Sequence, residues 1–495
     1  MFFYLSNCEK AKSLIFKAFN ICNLASLTAT LFSGVNKETI VFSFLVVSSC
    51  FFNLIKKYTL NSLSLIYSSF ISLSVILPCG YILYNLKTYE FGYEIGFSLP
   101  YKNQIYTENI FSTIWWVSII NILVSIVICF SKKAKTYKKQ NVFINENKYL
   151  SVFLVTLVVL FVNYIKSLKT IQAFADPMND GASLTSYLSL LTSDTVYLVI
   201  FSLWIFQKRP KFADKAFFLA VLLCFSLFDV ILCGSKGSFL KIFNYCYLIP
   251  IAFLTRVEKS KIIVPSFKSI LLTFSLSLYL FNFSKVYRNQ LFEENTSLKI
   301  KIENTFEKIS QVNSTTLEIF IELFHKGMVR QSADFDRLCI ITQDFLKPIP
   351  QQEGKILFFY ISKNLINQLL PGTPFPESYN PSSNMFEKII FLDKIDKTGS
   401  IEEMGGTNTQ PFTLFGLMTI LAGNLAIIPL IIITYIASAT VNSTQNPVIG
   451  MASLIFYKNL LHCYGFEIVI KELVICIISI YFFIFIFRIL NKFQK

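Results

Sequence analysis

Apolar residues in this chain run in long blocks closed by short lysine tracts, rather than alternating with polar positions. A helix needs roughly 20 apolar residues to cross a hydrocarbon slab about 30 Å thick. Only helices and closed barrels satisfy their backbone groups in such a slab. Barrel strands alternate apolar with polar residues, and runs such as 152–162 and 427–433 do not. The pattern predicts an all-α polytopic membrane protein. It places twelve spans at about 14–34, 39–55, 60–85, 110–130, 149–166, 187–206, 216–233, 238–255, 262–283, 413–436, 447–462 and 472–490.

Between the ninth and tenth spans the pattern changes. Residues 285–412 hold 16 of the chain's 30 acidic residues, which marks a water-facing insert between membrane domains 1–284 and 413–495. Leu298, Ile302, Phe306 and Ile309 recur at helical spacing, and Leu317, Phe320, Ile321 and Phe324 repeat it. The insert is therefore expected to be mainly helical at first. Pro348, Pro350, Pro371, Pro374, Pro376 and Pro381 are expected to break its second half into loop.

Composition agrees with the pattern: the 495 residues are 54% hydrophobic and 15% charged, which excludes an ordinary soluble globular chain. The net charge of +15 does not form a nucleic-acid patch, because the basic residues flank apolar blocks as the positive-inside rule expects. Lys10, Lys12 and Lys17 resemble the charged start of a signal peptide, but the later spans favour a retained first helix. With both termini inside, cytoplasmic segments carry 21 Lys and Arg and short outer loops carry eight. Long loops cross largely regardless of charge, so this comparison decides orientation and puts the insert outside. The eleven cysteines form no Cys-x-x-Cys pair and read as core hydrophobes. Two histidines argue against a zinc site, and no metal or cofactor is expected.

Arginine usage carries the strongest chemical signal. There are only six against 39 lysines, and Arg209, Arg256 and Arg488 lie at cytoplasmic span ends, where topology explains them. Arg288, Arg330 and Arg337 all fall in the outer insert. Where lysine is the default cation, arginine points to bidentate recognition of phosphate or carboxylate. Pairing with Glu293, Asp334 or Asp336 is the structural alternative. Gly234-Ser235-Lys236-Gly237-Ser238, at an outer turn, offers backbone N–H groups and a cation to an anion, or simply makes a tight hairpin. Asp194 and Asp229 lie inside apolar spans, where charge is costly and tends to be functional, although Asp229 has Lys236 as a ready partner. His325, five residues before Arg330, is a candidate proton acceptor or a solvated surface residue. His462 ends the eleventh span and reads as interfacial.

The spans, the Gly-Ser-basic-Gly turn, the Tyr287-Arg288 pair, the spaced outer arginines and the return through Gly405-Gly406, Pro411-Phe412 and Gly416 form a recognisable set. Together they resemble the Wzy-type O-antigen polymerases, the oligosaccharide repeat-unit polymerases of bacterial inner membranes. Lys236 stands where that family often has arginine. The resemblance implies a GT-C-like fold in the inner membrane and metal-independent glycosyl transfer on its outer face. The substrates would be undecaprenyl-diphosphate-linked oligosaccharides, met at the membrane lipid surface, with a chain-length regulator protein as a further partner. Arg288, Arg330, Arg337 and Lys236 would stabilise the diphosphate leaving group. His325, Asp334, Asp336 and Asp229 are the candidates for the base that accepts the hydroxyl proton. An O-antigen ligase shares the donor and differs in the acceptor. A flippase of the same lipid-linked units is the transporter alternative, although no internal repeat is evident and a 128-residue insert is surplus to it.

Overall fold

The computed structural model describes residues 3–57, 61–86, 104–131, 134–137, 248–257, 261–265, 298–310, most of 335–343, 346, 352–369, 374–375 and 413–462, with isolated positions from 466 to 489. Two compact units divide the chain: 1–11, 138–328 and 478–495 form one, and 12–137 with 329–477 form the other. Among the described residues the chain is mostly helical, with five helices long and apolar enough to cross a membrane. These are the dimensions of a helical membrane protein. They lie at Cys8–Ser33, Lys37–Lys56, Leu63–Tyr84, Asn109–Phe130 and Leu414–Ser443, where the first four spans and the tenth are expected.

In the first unit, strand β1 (Phe3–Asn7) pairs antiparallel with β2 (Lys261–Pro265), Leu5 opposite Ile263. The ninth span is expected from 262, and its start is a strand instead. Ile262, Ile263 and Val264 are β-branched and Pro265 comes next, so the local sequence favours extended backbone over a first helical turn. A short helix at Ile249–Leu254 and the amphipathic Leu298–Ser310 helix, with the periodicity read from Leu298 to Ile309, also belong to this unit. Spans at 149–233 and 266–283 and the repeat at 317–324 lie outside the described residues.

The second unit is a bundle. Helix α1 (Cys8–Ser33) starts six residues before the expected span and reaches α2 (Lys37–Lys56) through Gly34, whose φ of 135° suits glycine. Asn36 caps α2 by accepting the Thr39 amide at 2.8 Å. The third span is α3 (Leu63–Phe70), a π-helical turn (Ile71–Ile76) and α4 (Leu77–Tyr84). In the wide turn the Leu77 N–H reaches back five residues to the Ser72 carbonyl, one residue before Pro78. Proline has no amide to donate and its ring crowds the preceding turn, so the helix widens there rather than breaking. Helix α5 (Gln104–Phe130) lies against α2.

The insert corrects one expectation. Its prolines bracket a helix rather than dissolving the segment: α6 (Gln352–Leu369) stands between Pro350 and Pro371. The domain limits at 285 and 412 lie outside the described residues.

The return to the membrane is bipartite. The tenth span, expected as one helix over 413–436, is α7 (Leu414–Ala422), a 3-10 turn (Gly423–Ala426) and α8 (Ile427–Ser443). Gly423 has φ 55° and ψ −130°, a conformation that side chains disfavour, and it ends α7. Thr413 caps α7 by accepting the Gly416 amide, and α6 packs against α7. Helix α9 (Pro447–His462) turns back after Asn446. Exposed apolar side chains such as Ile21, Phe51, Ile428 and Tyr435 cover the outside of these helices, as suits helices long and apolar enough to cross a membrane.

Candidate functional site

Of the eight candidate site residues, Arg337 is the one the structure describes. Arg288, Arg330, Lys236, His325, Asp334, Asp336 and Asp229 lie outside the described residues, as does Asp194. Arg337 sits in a helical segment over 337–343, with Phe335, Leu338, Cys339, Ile340, Ile341 and Thr342 all buried around it. The arginine itself is only 9% exposed and makes a polar or electrostatic contact. A solvated surface salt bridge is therefore not its role. Removing a guanidinium from water costs several kcal/mol unless its donors are met, so the position tolerates arginine only where it is partnered.

What holds this segment is a contact that sequence reasoning missed. The hydroxyls of Thr342 and Thr113 meet in a short hydrogen bond, both side chains buried. Each hydroxyl also lies within reach of a carbonyl of its own helix, Thr113 of Asn109 at 2.8 Å and Thr342 of Cys339 at 3.0 Å, so one of the two donates across the pair while the other accepts and donates to its own helix. At roughly 100° per residue, Arg337 lies about 140° around the helix from Thr342. The two side chains therefore leave the helix on different faces. One turn along α5, the Trp116 indole donates to the Thr419 hydroxyl on α7 at 3.2 Å. The insert segment and the return helix are thus fastened to the same end of α5.

The opposite end of α5 carries a second polar cluster. Asn61 donates to Ser131 at 3.0 Å and to the Ile128 carbonyl at 3.1 Å. Asn442 on α8 donates to the same Ser131 hydroxyl at 3.1 Å, and the Lys135 amide donates to the Asn442 carbonyl. This end leads into the basic tract that begins at 132. Segment 337–343 and the start of that tract therefore lie at opposite ends of one bundle. Between them, the Tyr67 hydroxyl donates to Asn121 at 3.1 Å, and Asn121 donates to Ser49 at 3.1 Å. Asn53 donates to Asn20 at 2.7 Å between α2 and α1. Such pairs join helices where hydrophobicity offers no preference between a neighbour and lipid. Asparagines within apolar spans are the signal in the sequence that could have found them.

Other expectations shift in detail. Arg256, read as a topological charge at a span end, is fully buried and engaged. Lys12, counted with the cytoplasmic charges, is likewise buried and engaged. His462 stacks edge-on against the Phe70 ring at 5.4 Å between centroids, and Phe415 of α7 meets the same ring at 5.4 Å. Among the described residues no group of three or more His, Cys, Asp or Glu is placed to hold a metal ion. Comparison of the chain with protein-family models, curated proteins and solved structures finds no match in any of the three.

Proposed function

We propose that this protein polymerises lipid-linked oligosaccharide repeat units on the outer face of a bacterial inner membrane, as the resemblance to the Wzy-type polymerases implies. The observation that supports the reading is Arg337: a scarce residue type, buried, and borne by an insert segment at the end of the bundle remote from the basic tract at 132. An outer transfer site needs a cation at that end.

In the proposed reaction an acceptor sugar hydroxyl attacks the anomeric carbon of the donor chain. The new C–O bond forms as the bond to the diphosphate oxygen breaks, and the carrier diphosphate leaves with the electron pair. The hydroxyl proton passes to a base, for which His325, Asp334, Asp336 and Asp229 stand as candidates. Arg337, with Arg288, Arg330 and Lys236, would meet the charge that develops on the leaving oxygen. Donors already fixed in a water-poor setting stabilise such charge without reorganising.

The test is Arg337→Lys in the full-length chain, with protein abundance measured in the same membranes. Lysine keeps the charge but not the planar fork. Loss of one charge-assisted bond to a developing oxyanion costs a factor of about 10²–10³ in rate, so the lipopolysaccharide ladder should collapse to a single repeat unit. A normal ladder at normal abundance would reject Arg337 as part of the clamp. Deleting the gene separates the classes: core capped by one unit for a polymerase, no unit attached for a ligase or a flippase. A long ladder in the deletion strain rejects all three.

A further inference from the structure

Helix α6 is built inside out. Its buried face carries Leu357 and Ile361 but also Asn364 and Asn367, while its outward face carries Phe358, Phe359 and Ile366, exposed by 58%, 66% and 39%. A helix on a water-facing domain shows the reverse, with amides outside and aromatics within. The inward Asn367 amide is employed. Asn367 brackets the backbone of Phe375, accepting its amide at 2.8 Å and donating to its carbonyl. The outward Phe358 and Phe359 rings meet edge-on at 6.1 Å and still leave most of their surface open.

Three further observations bear on what covers that face. First, α6 packs against α7, and α7 is tied through Thr419 to Trp116, one turn from Thr113, so α6 lies at the insert end of the membrane bundle. Second, α7 leads directly into α8, which presents exposed Ile428 and Ile432, apolar side chains like those that α6 presents. Third, the outward face also bears exposed Lys355 and Lys363, and no acidic residue comes after Glu353 in the helix. Lys363 additionally lies over the Phe375 ring, 5.7 Å from its centroid. Aromatic and aliphatic side chains flanked by lysine match a phospholipid monolayer, with acyl chains for the rings and phosphates for the ammonium groups.

We infer that the outward face of α6 is a phospholipid-binding surface, seated in the leaflet on the insert side of the membrane with Phe358, Phe359 and Ile366 among the acyl chains. The inference depends on membrane insertion and not on the glycosyl-transfer reading. It makes the insert partly an interfacial element rather than wholly a water-facing domain.

The test places the photo-reactive residue p-benzoylphenylalanine at position 359 of the full-length protein, reconstituted in phosphatidylethanolamine–phosphatidylglycerol vesicles. The same residue at position 432, on the exposed side of α8, serves as reference. Illumination with subsequent mass spectrometry should give phospholipid adducts at 359 in a yield comparable with that at 432. Adducts to a second copy, to another protein or to the chain itself would overturn the proposal, and so would a surface that yields none. Lipid adducts at neither position would overturn the membrane reading of this bundle as well. A second pair of variants guards against misfolding: Lys355→Glu with Lys363→Glu should lower the adduct yield in phosphatidylglycerol vesicles and spare it in neutral ones. Equal yields in both would overturn the pairing of Lys355 and Lys363 with anionic headgroups.

Discussion

The Thr113–Thr342 contact is the link by which the bundle positions the segment that carries Arg337, and its strength follows from the partners each hydroxyl has. Replacing either threonine by valine keeps the shape and removes the hydroxyl. The hydroxyl left behind is not orphaned, because Thr113 retains the Asn109 carbonyl and Thr342 that of Cys339. The penalty of about 1–3 kcal/mol for an unpaired buried group therefore does not apply. What is lost is one interhelical hydrogen bond, which in membrane proteins averages about 0.6 kcal/mol and reaches about 1.7. At 1.4 kcal/mol per tenfold, local opening of 337–343 should become about 3- to 16-fold more frequent. Amide hydrogen exchange of those residues in lipid nanodiscs reads this opening directly. The double variant decides the cause. With both hydroxyls gone, the second substitution has nothing left to break, so the double should exchange hardly faster than either single. Thr28→Val, which removes an exposed hydroxyl bonded only within α1, should leave 337–343 unchanged. Additive effects, with a coupling below about 0.3–0.5 kcal/mol, would show that the two hydroxyls do not hold the segment.

Two further outcomes are expected. A Cβ at Gly450 would enter the ring of Tyr137, so Gly450→Ala should destabilise the bundle by about 1–3 kcal/mol through overpacking; denaturant titration in detergent measures it, and Gly450→Ala with Tyr137→Ala should recover part of the loss unless the clash is not the cause. Because 337–343 and the tract beginning at 132 lie at opposite ends of one bundle, a cytoplasm-only reporter fused near 135 should be active and one fused near 350 silent; equal activity at both sites would contradict the arrangement.

The helical membrane class and the approximate positions of spans one to four are legible in the sequence, because an apolar slab imposes one length and one composition on whatever crosses it. The periodicity from Leu298 to Ile309 is legible for a similar reason: amphipathic spacing is local. Boundaries set by backbone detail are not. The π-helical turn before Pro78, the stop at Gly423 and the β1–β2 pairing depend on what each segment meets elsewhere in the chain, and hydropathy averages over such features. Helix α6 is hidden because a cluster of prolines signals loop in a local pattern, whereas here they stand at the helix ends. The significance of Arg337 is half visible. Its rarity of type lies in the composition, but its burial, and the threonine pair that holds its segment, exist only once residue 342 is brought to residue 113. The same holds for the asparagine contacts at 61, 121 and 442. A one-dimensional pattern shows that a polar residue lies in an apolar span, whereas its hydrogen-bond partner is chosen by tertiary packing.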